Sequence, residues 1–297
     1  MTRPIAADGL THVYGRTRPV TAVADLSLTV DAGDVFALLG PNGAGKTTAL
    51  LCLLGLIIPR QGTCRLFGED PAVVPEVFRQ VGYLPEEPQY HELLTPAEEL
   101  ELAARLLAVP DRAARVAEVL EQVGLSGARD RAVRTLSKGM KQRLGFGCAI
   151  IHRPRLLFLD EPTRGLDPVG VADLRRLMLE LNRAGTTVFL NSHVLAEVAA
   201  VCNRVAIMVR GRQVSTGKIS DLLTAREEYR VEYHGTVQLP AGVRAADPPA
   251  AGGAAAVVAA DRLAELLAAI AAQGGSVEKA ERCRESLEDY FMRVVQS

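Results

Sequence analysis

Two hydrophobic patterns alternate along the chain as far as about Leu223. Almost continuous apolar, β-branched runs occur at residues 35–40 (VFALLG), 155–161 (RLLFLDE), 187–192 (TVFLNS) and 204–209 (RVAIMV). Stretches with helical spacing separate these runs, a pattern typical of a parallel sheet buried on both faces. Near the N-terminus, GLTHVYG and VADLSLTV alternate apolar and polar residues, which indicates half-buried strands of a small antiparallel layer. The pattern therefore predicts an α/β core.

A helix-rich insert, at about residues 85–155, lies between the first and second of these core strands. Its first helix is predicted to start at Pro96, because Thr95 can cap it and Glu98 completes a capping box. A second helix is predicted to begin at Asp111, with valines and leucines at helical spacing behind it. We expect both helices to pack into the core.

The composition changes after about Leu223, where the chain becomes rich in Ala, Pro and Gly. We therefore predict one domain over residues 1–223 and a C-terminal accessory domain over 224–297. The tail pattern predicts strands at 229–233, 254–259 and 277–281, helices at 261–272 and from Ser286, and a loop at about 238–253. These elements would form a small α+β domain; the alternative is a mostly disordered linker.

Composition excludes some functions and favours others. The chain has 297 residues, is 48% hydrophobic and carries a formal net charge of -1, so a large core is possible and no global field favours nucleic acid. The 5 cysteines are unevenly spaced among apolar residues, which predicts reduced thiols in a cytoplasmic protein. The longest uncharged apolar run, residues 49–58, is about half of a roughly 20-residue membrane span, and no signal peptide is apparent. We expect any membrane role to depend on a partner.

The segment GPNGAGKTT, residues 40–48, follows an apolar strand and precedes a predicted helix. That context makes GxxxxGK[ST] a phosphate-binding loop rather than an ordinary glycine-rich turn, since glycines let backbone N–H groups converge on phosphate oxygens. Lys46 would reach the β- and γ-phosphates, and the Thr47 hydroxyl would ligate Mg²⁺. The other predicted nucleotide-binding residues of the loop are Asn42, Gly43, Ala44, Gly45 and Thr48.

Acidic residues and a histidine follow two other core strands. Asp160 and Glu161 end the run LLFLDE, where one carboxylate could hold Mg²⁺ while the next orients an attacking water. Carboxylates in such an apolar run would otherwise be costly. His193 follows another core strand at the same sheet end, within predicted reach of a γ-phosphate. We therefore predict Glu161 and His193 as catalytic residues and Asp160 as a metal ligand.

With these motifs in this order, residues 1 to about 223 resemble the nucleotide-binding subunits of ATP-binding cassette (ABC) transporters. Tyr14 in HVYG corresponds to the aromatic residue that stacks on adenine in that family, and GLDP matches the family's loop with Asp167. LSKGMKQR stands where the family has its LSGGQ-like signature. The expected fold class is therefore α/β, with a P-loop NTPase core, an antiparallel β layer, a helical insert and a small C-terminal α+β domain.

The resemblance also implies a nucleotide site divided between two subunits. Ser137 and the backbone of Gly139, at a predicted helix N-terminus, would bind the γ-phosphate of ATP held by the P-loop of a second subunit. A helix N-terminus with a hydroxyl group and a glycine is a good anion-binding site. Within one subunit, however, no phosphate is left over to occupy this site. The implied cofactors are ATP and Mg²⁺, and the implied partner is a second copy or a paired ABC subunit.

The sequence departs from the family pattern at two places. Glu86 in GYLPEE occupies the position of a glutamine that usually contacts Mg²⁺ and the transmembrane partner. A glutamate can still accept from metal-bound water, but it adds negative charge beside Asp160 and Glu161. The signature carries Lys138 and Met140 in place of a glycine and a glutamine, while its serine and second glycine remain, so we still expect turnover.

The segments GYLPEE, SKGM and SLEDYF together resemble bacterial exporters that carry ATPase and membrane domains on separate chains. This resemblance implies an ATP-hydrolysing subunit that dimerises around two ATP at the cytoplasmic face of the membrane and drives a transmembrane permease subunit. One alternative is a soluble ABC ATPase acting on ribosomes or DNA, although neither two cassettes nor a long coiled coil is visible. Another is a regulator that binds ATP without hydrolysis, against which Glu161 and His193 argue. We expect no nucleic-acid partner.

Overall fold

The chain contains thirteen strands and nine α-helices in the part that the computed structural model describes, residues 2–15, 17–223, 225–249 and 252–296. The strands are β1 Ile5–Tyr14, β2 Val20–Val30, β3 Val35–Leu39, β4 Gln61–Leu66, β5 Val81–Leu84, β6 Leu156–Asp160, β7 Thr187–Ser192, β8 Arg204–Val209, β9 Arg212–Lys218, β10 Ala225–His234, β11 Arg244–Ala246, β12 Ala254–Ala259 and β13 Ser276–Arg284. The helices are α1 Lys46–Leu53, α2 Pro96–Leu106, α3 Arg112–Gln122, α4 Lys138–Ile150, α5 Pro168–Arg183, α6 Leu195–Val201, α7 Ile219–Leu222, α8 Leu263–Ala272 and α9 Leu287–Gln296.

Internal contacts divide the chain into two units: the first runs to Ile219 and also includes the C-terminal residues from Val294, and the second runs from Ser220 to Arg293. The predicted boundary at 223 lies a few residues further along the chain. Each unit has its own hydrophobic core and its own sheet.

The first unit contains a nine-stranded sheet in the order β4-β1-β2-β9-β8-β3-β7-β6-β5. Its centre is parallel, with β3 paired to β7 and β8, and β6 paired to β5 and β7. Every residue of β3, β6 and β7 is buried, which explains their almost continuous apolar runs. The predicted α/β core is thus confirmed. Because these strands are parallel, the loops that follow them share one sheet edge.

The antiparallel layer predicted near the N-terminus is also present. β1 pairs with β2 on one side and with β4 on the other, both antiparallel. Buried and exposed positions alternate along β2, as the sequence pattern indicates. A single parallel pairing, between Ala24 and Arg212, joins this layer to β9.

Helices α2, α3 and α4 form the insert between β5 and β6. The capping box of α2 is confirmed: Thr95 Oγ1 accepts from Glu98 N at 3.3 Å, and Glu98 Oε2 accepts from Thr95 N at 2.8 Å. Helix α3 begins at Arg112, one residue after the predicted start, and Asp111 occupies its N-cap position. Asp111 has a left-handed backbone (φ 45°) and makes no side-chain cap bond, because an N-cap needs an extended backbone to aim its oxygen at the helix.

The second unit contains an antiparallel sheet in the order β11-β12-β10-β13. Helix α8 buries Leu266 and Ile270 in a core with Val231, Tyr233 and Val258. β12 has the bounds that the sequence predicts, whereas α8 begins later than predicted, after a 3₁₀ turn, and β10 and β13 extend further. β11 lies within the segment that the sequence analysis assigns to a loop.

None of the helices in the described ranges combines the length and the apolar character that crossing a bilayer requires.

Candidate functional site

The glycine-rich loop joins β3 to α1 at the shared sheet edge. Gly43 and Gly45 have positive φ angles, of 78° and 96°, which residues with a β-carbon rarely adopt. A β-carbon on Gly45 would also lie 1.9 Å from the carbonyl oxygen of Ala22. A glycine is therefore required at position 45, and the loop curls tightly around the start of α1.

Lys46, the first residue of α1, turns back over the loop. Its Nζ donates to the carbonyl oxygens of Gly40 at 2.9 Å and Pro41 at 3.3 Å. Burial lowers the pKa of Lys46, and the carboxylates of Glu161 and then Asp160 oppose that shift. A buried cation thus lies at the centre of the loop, close to two acidic side chains.

The loop opens onto a cleft of about 570 Å³. Glu86, Glu161 and His193 reach this cleft from the loops after β5, β6 and β7. Its other lining residues are Val20, Thr21, Ala22, Asn42, Gly43, Gly45, Lys46, Thr47, Thr48 and Arg164. The structure therefore brings most of the predicted nucleotide, metal and catalytic residues to one place. Ala44 is buried beneath the loop.

Asp160 ends β6 and is almost fully buried, with 1% of its surface exposed. The pKa of Asp160 is raised to about 6, chiefly by burial and in smaller part by the charge of Glu161. The hydrogen bond from Asn191 and the charge of Lys46 act in the opposite direction. The Asn191 amide donates to Asp160, and the Asn191 backbone oxygen accepts from the backbone N–H of Glu161 at 2.9 Å. Asn191 thus holds the Asp160 carboxyl group and the Glu161 backbone, a role that the sequence analysis did not assign.

Glu161 and His193 are in direct contact. Glu161 Oε2 lies 2.8 Å from His193 Nδ1, and the Glu161 side chain is buried while the His193 ring is half exposed. Glu161 has a left-handed backbone (φ 47°), a conformation uncommon outside glycine that often marks functional positions. A buried carboxylate held by an imidazole at the cleft wall has the geometry of a general base, since it can accept a proton from a water in the cleft.

Tyr14 lies beside the same loop, at the end of β1. Its hydroxyl is 3.4 Å from the Thr48 hydroxyl, and its ring packs edge-on against His12 with a centroid distance of 4.7 Å. The Tyr14 side chain is exposed. An exposed aromatic face next to a phosphate-binding loop suits the stacking of a nucleobase.

The signature segment lies away from this cleft. Ser137 caps α4, its Oγ accepting from Met140 N at 3.2 Å, and the segment contributes none of the cleft's described lining residues. Gly139 instead faces Leu166, 3.4 Å from where its β-carbon would be. Asp167 caps α5 by accepting from Gly170 N at 2.7 Å. Ser137, Gly139 and Asp167 thus form a second group, outside the cleft around Lys46.

One contact in the cleft was not predicted. The carboxylate of Glu86 forms an ion pair with the guanidinium of Arg164, which lies in the loop between β6 and α5. Both residues line the cleft. The sequence signal for Arg164 was weak, because an arginine in an exposed loop usually carries no function.

The oxygen groups near the loop suit a magnesium ion bound together with phosphate. The Thr47 hydroxyl and the carboxyls of Asp160 and Glu86 are hard oxygen donors. Within the described ranges, no cluster of three or more His, Cys, Asp or Glu side chains could hold a metal ion alone. Mg²⁺ prefers such incomplete sites, since it retains waters and shares one or two carboxylates with substrate phosphates. Asn191 Oδ1, buried beside Asp160 without a described partner, offers one further acceptor.

Comparison with known proteins agrees with this geometry. A family model described as ABC transporter matches residues 23–164. An uncharacterized ABC transporter ATP-binding protein of Nostoc sp. is 40% identical over 288 residues, covering 95% of this chain and 86% of that protein. A fluoroquinolones export ATP-binding protein of Mycobacterium tuberculosis is 38% identical over 237 residues, covering 79% of this chain and 78% of that protein. The solved structure of an ATP-binding subunit of an ABC transporter has a TM-score of 0.68 at 33% identity, covering 73% of this chain and 91% of that one.

Proposed function

Because the chain belongs to the family of ABC transporter ATP-binding proteins, we propose that its cleft around Lys46 binds and hydrolyses ATP to drive a separate membrane exporter. The observation that carries the proposal is the convergence of Lys46, Glu161 and His193 on one cleft, with the buried carboxyl of Asp160 close to Lys46 and Glu161. An ATP-powered transporter subunit accounts for this arrangement better than the ribosome- or DNA-acting alternative, since the relatives are transporter proteins.

The loop would hold the triphosphate by its backbone N–H groups and by Lys46. In the structure the Lys46 ammonium already occupies the mouth of the loop, held by two carbonyl oxygens. Phosphate oxygens would compete well for the ammonium, because an anionic acceptor adds charge–charge attraction that a neutral carbonyl oxygen lacks. Asn42, Gly43, Ala44, Gly45 and Thr48 would line the same loop, and Tyr14 would stack on the adenine.

Glu161 would accept the proton of the attacking water. His193 fixes the Glu161 carboxylate through its Nδ1 and leaves its other ring nitrogen for the γ-phosphate. The Glu161 carboxylate is itself buried, which limits the access of competing water to it, whereas the His193 ring is half exposed to the cleft. Proton transfer to a positioned carboxylate is worth roughly 10²–10⁴-fold in rate.

The residues present fit a magnesium ion held by Thr47, Asp160 and Glu86. When bound, the ion would neutralise phosphate charge. Asp160 is the best placed of the three, because the Asn191 amide holds its carboxyl group in place and the positive charge of Lys46 lies nearby. Glu86 would act through metal-bound water, and its ion pair with Arg164 would then modulate the contact.

Two subunits would enclose two ATP molecules. Ser137 and Gly139 lie outside the cleft that contains Lys46 in the same subunit, so they would bind the γ-phosphate across the dimer interface. The exposed start of α4 offers free backbone N–H groups and the positive end of the helix dipole to that phosphate. Leu166 lies against Gly139 at the start of α4, and the next residue, Asp167, caps α5. Asp167 would therefore help to position this part of the dimer interface.

The partner would be a transmembrane permease subunit, with this chain at the cytoplasmic face of the membrane. The segment after β5 joins Glu86 to Leu93, whose side chain is 77% exposed. Tyr90 ties this segment to the start of α4, donating to the Lys141 oxygen at 2.6 Å. A permease contact at Leu93 could therefore move both Glu86 and the signature. The export direction follows the resemblance to the fluoroquinolones export protein.

The proposal is tested by ATP hydrolysis of the purified protein. Glu161→Gln should lower the rate about 10²–10⁴-fold while ATP still binds, because only the catalytic carboxylate is removed. Glu180→Gln, a matched change on the exposed face of α5, should leave the rate unchanged. Full activity of Glu161→Gln, or no ATP binding by the unaltered protein, would contradict the proposal.

The permease contact has its own test. Leu93→Asp should reduce co-purification with the permease encoded for this subunit and abolish its stimulation of ATP hydrolysis, while hydrolysis by the isolated subunit persists. Val214→Asp, which places the same charge at another exposed apolar position, on β9, serves as the control. Equal effects of the two substitutions would argue against a docking role for Leu93.

A further inference from the structure

The ion pair between Glu86 and Arg164 joins two loops across the phosphate end of the cleft. Glu86 follows β5, and Arg164 lies three residues after Glu161. Their side chains are 36% and 49% exposed, so both reach the cleft and both remain partly shielded from solvent. Arg164 also ends the turn that begins at Glu161, its backbone N–H donating to the Glu161 backbone oxygen at 3.1 Å. A movement of Arg164 is therefore directly linked to the catalytic glutamate.

The balance of charge explains why such a pair would be needed. Without Arg164, Lys46 would be the one cation among the described lining residues, with the carboxylates of Glu86 and Glu161 at the cleft wall and that of Asp160 buried near Lys46, before a triphosphate adds its own negative charge. The guanidinium of Arg164 cancels the charge of Glu86 at contact distance. The phosphate end of the cleft then has the same net charge as a cleft with uncharged side chains at both positions 86 and 164.

We propose that Arg164 is a positioning residue for Glu86, and that the two form a unit that lets a carboxylate stand at position 86 without repelling nucleotide phosphates. This inference rests on the proposed binding of ATP at Lys46. The pair also clamps the loop after β5 to the loop after β6, which keeps Glu86 beside the catalytic loop.

Arginine suits this role better than lysine in one respect only. Its planar fork matches a carboxylate with two parallel hydrogen bonds and fixes the direction of Glu86. The neutralisation of charge needs only a cation. Arg164→Lys should therefore preserve nucleotide affinity, whereas Arg164→Ser should not.

The test measures binding of ATP and AMP in the presence of EDTA, using fluorescent analogues at low ionic strength. Arg164→Ser should weaken ATP binding about tenfold, because an uncompensated carboxylate then faces the phosphates. Glu86→Gln should leave ATP binding equal or tighter. The double variant should return to within about twofold of the unaltered protein, since the two charges cancel. AMP, which lacks the β- and γ-phosphates, should bind all four proteins alike.

Two controls separate this inference from the proposal on which it rests. Arg183→Ser removes the same charge at the far end of α5, about 24 Å along the helix, and should not change ATP binding. Lys46→Ala should abolish ATP binding; if it does not, or if the unaltered protein binds no ATP, the proposed function falls together with the inference. A different result would be that Lys46→Ala abolishes ATP binding as expected while Arg164→Ser and Glu86→Gln both weaken the binding of ATP and AMP alike, or while neither changes ATP affinity. Either outcome would refute the pairing role alone and leave the proposed function in place.

Discussion

Replacing the buried carboxyl of Asp160, as Asp160→Asn, is predicted to stabilise the nucleotide-free protein at neutral pH. Asp160 is 1% exposed, and its surroundings supply an amide donor from Asn191 but too little positive charge to offset its burial. An asparagine of similar shape could keep the bond from Asn191 while removing the cost of the buried charge. The native aspartate would thus serve the function of the site while lowering the stability of the folded protein.

The size of the effect follows from the pKa of Asp160. Burial raises that pKa from 3.8 to about 6, and each pKa unit corresponds to about 1.36 kcal/mol. The charged form is therefore disfavoured in the folded state by roughly 3 kcal/mol. For a unit of this size, that free energy corresponds to an increase of roughly 6–12 °C in the unfolding midpoint.

The pH dependence gives the prediction a distinctive form. The folded-state pKa lies above the unfolded value, so the cost is fully present above about pH 6 and absent below about pH 4. Thermal unfolding followed by circular dichroism, without nucleotide, should show Asp160→Asn melting higher at pH 7 and equally near pH 4. A variant that melts at or below the midpoint of the unaltered protein at pH 7, or a gap independent of pH, would refute the reasoning.

Further predictions concern the loop, the histidine and the second unit. Gly45→Ala should abolish ATP binding and lower the free energy of unfolding by at least about 1–3 kcal/mol. The reason is that a β-carbon at position 45 would lie 1.9 Å from the Ala22 carbonyl oxygen and would need a φ of 96°. Nucleotide titration measures the first effect and denaturant unfolding the second. His193→Ala should reduce kcat for ATP hydrolysis by a larger factor than it weakens ATP binding, since the ring holds Glu161 in addition to its proposed γ-phosphate contact. Steady-state kinetics and equilibrium binding measure the two effects, and an equal loss in both would contradict the prediction. Ile270→Ala should cost about 2–5 kcal/mol in the second unit, whose core it fills, and a calorimetric scan without any shifted transition would contradict this.

The elements that the sequence predicted best depend on local patterns. The buried strands, the loop at residues 40–48 and the capping box at Thr95 each follow from neighbouring residues. The short strand β11 was missed because Arg-Ala-Ala in an alanine-rich segment carries no strand signal of its own. The left-handed backbone of Asp111 does not follow from the sequence, since residue type favours a cap but does not fix φ.

The contacts that complete the site depend on tertiary structure. The pairing of Glu86 with Arg164 joins loops that are far apart in sequence, so only the sheet order brings them together. Asn191 did leave a signal, as an amide within the otherwise apolar run of β7. A buried amide requires a partner, and the neighbouring strand β6 ends in Asp160. The sequence alone does not show that β6 and β7 are neighbours in the sheet, which is what brings Asn191 beside Asp160.

The most direct test of the divided ATP site is sedimentation of Glu161→Gln with and without saturating ATP, in combination with substitutions in each half of the site. The account predicts that Glu161→Gln dimerises with ATP, because ATP is bound but not hydrolysed. Adding Gly139→Asp should prevent dimerisation while each subunit still binds ATP, and adding Lys46→Ala should remove both binding and dimerisation. A Glu161→Gln protein that stays monomeric in ATP, or one that dimerises equally well with Gly139→Asp, would contradict a nucleotide site shared between two subunits.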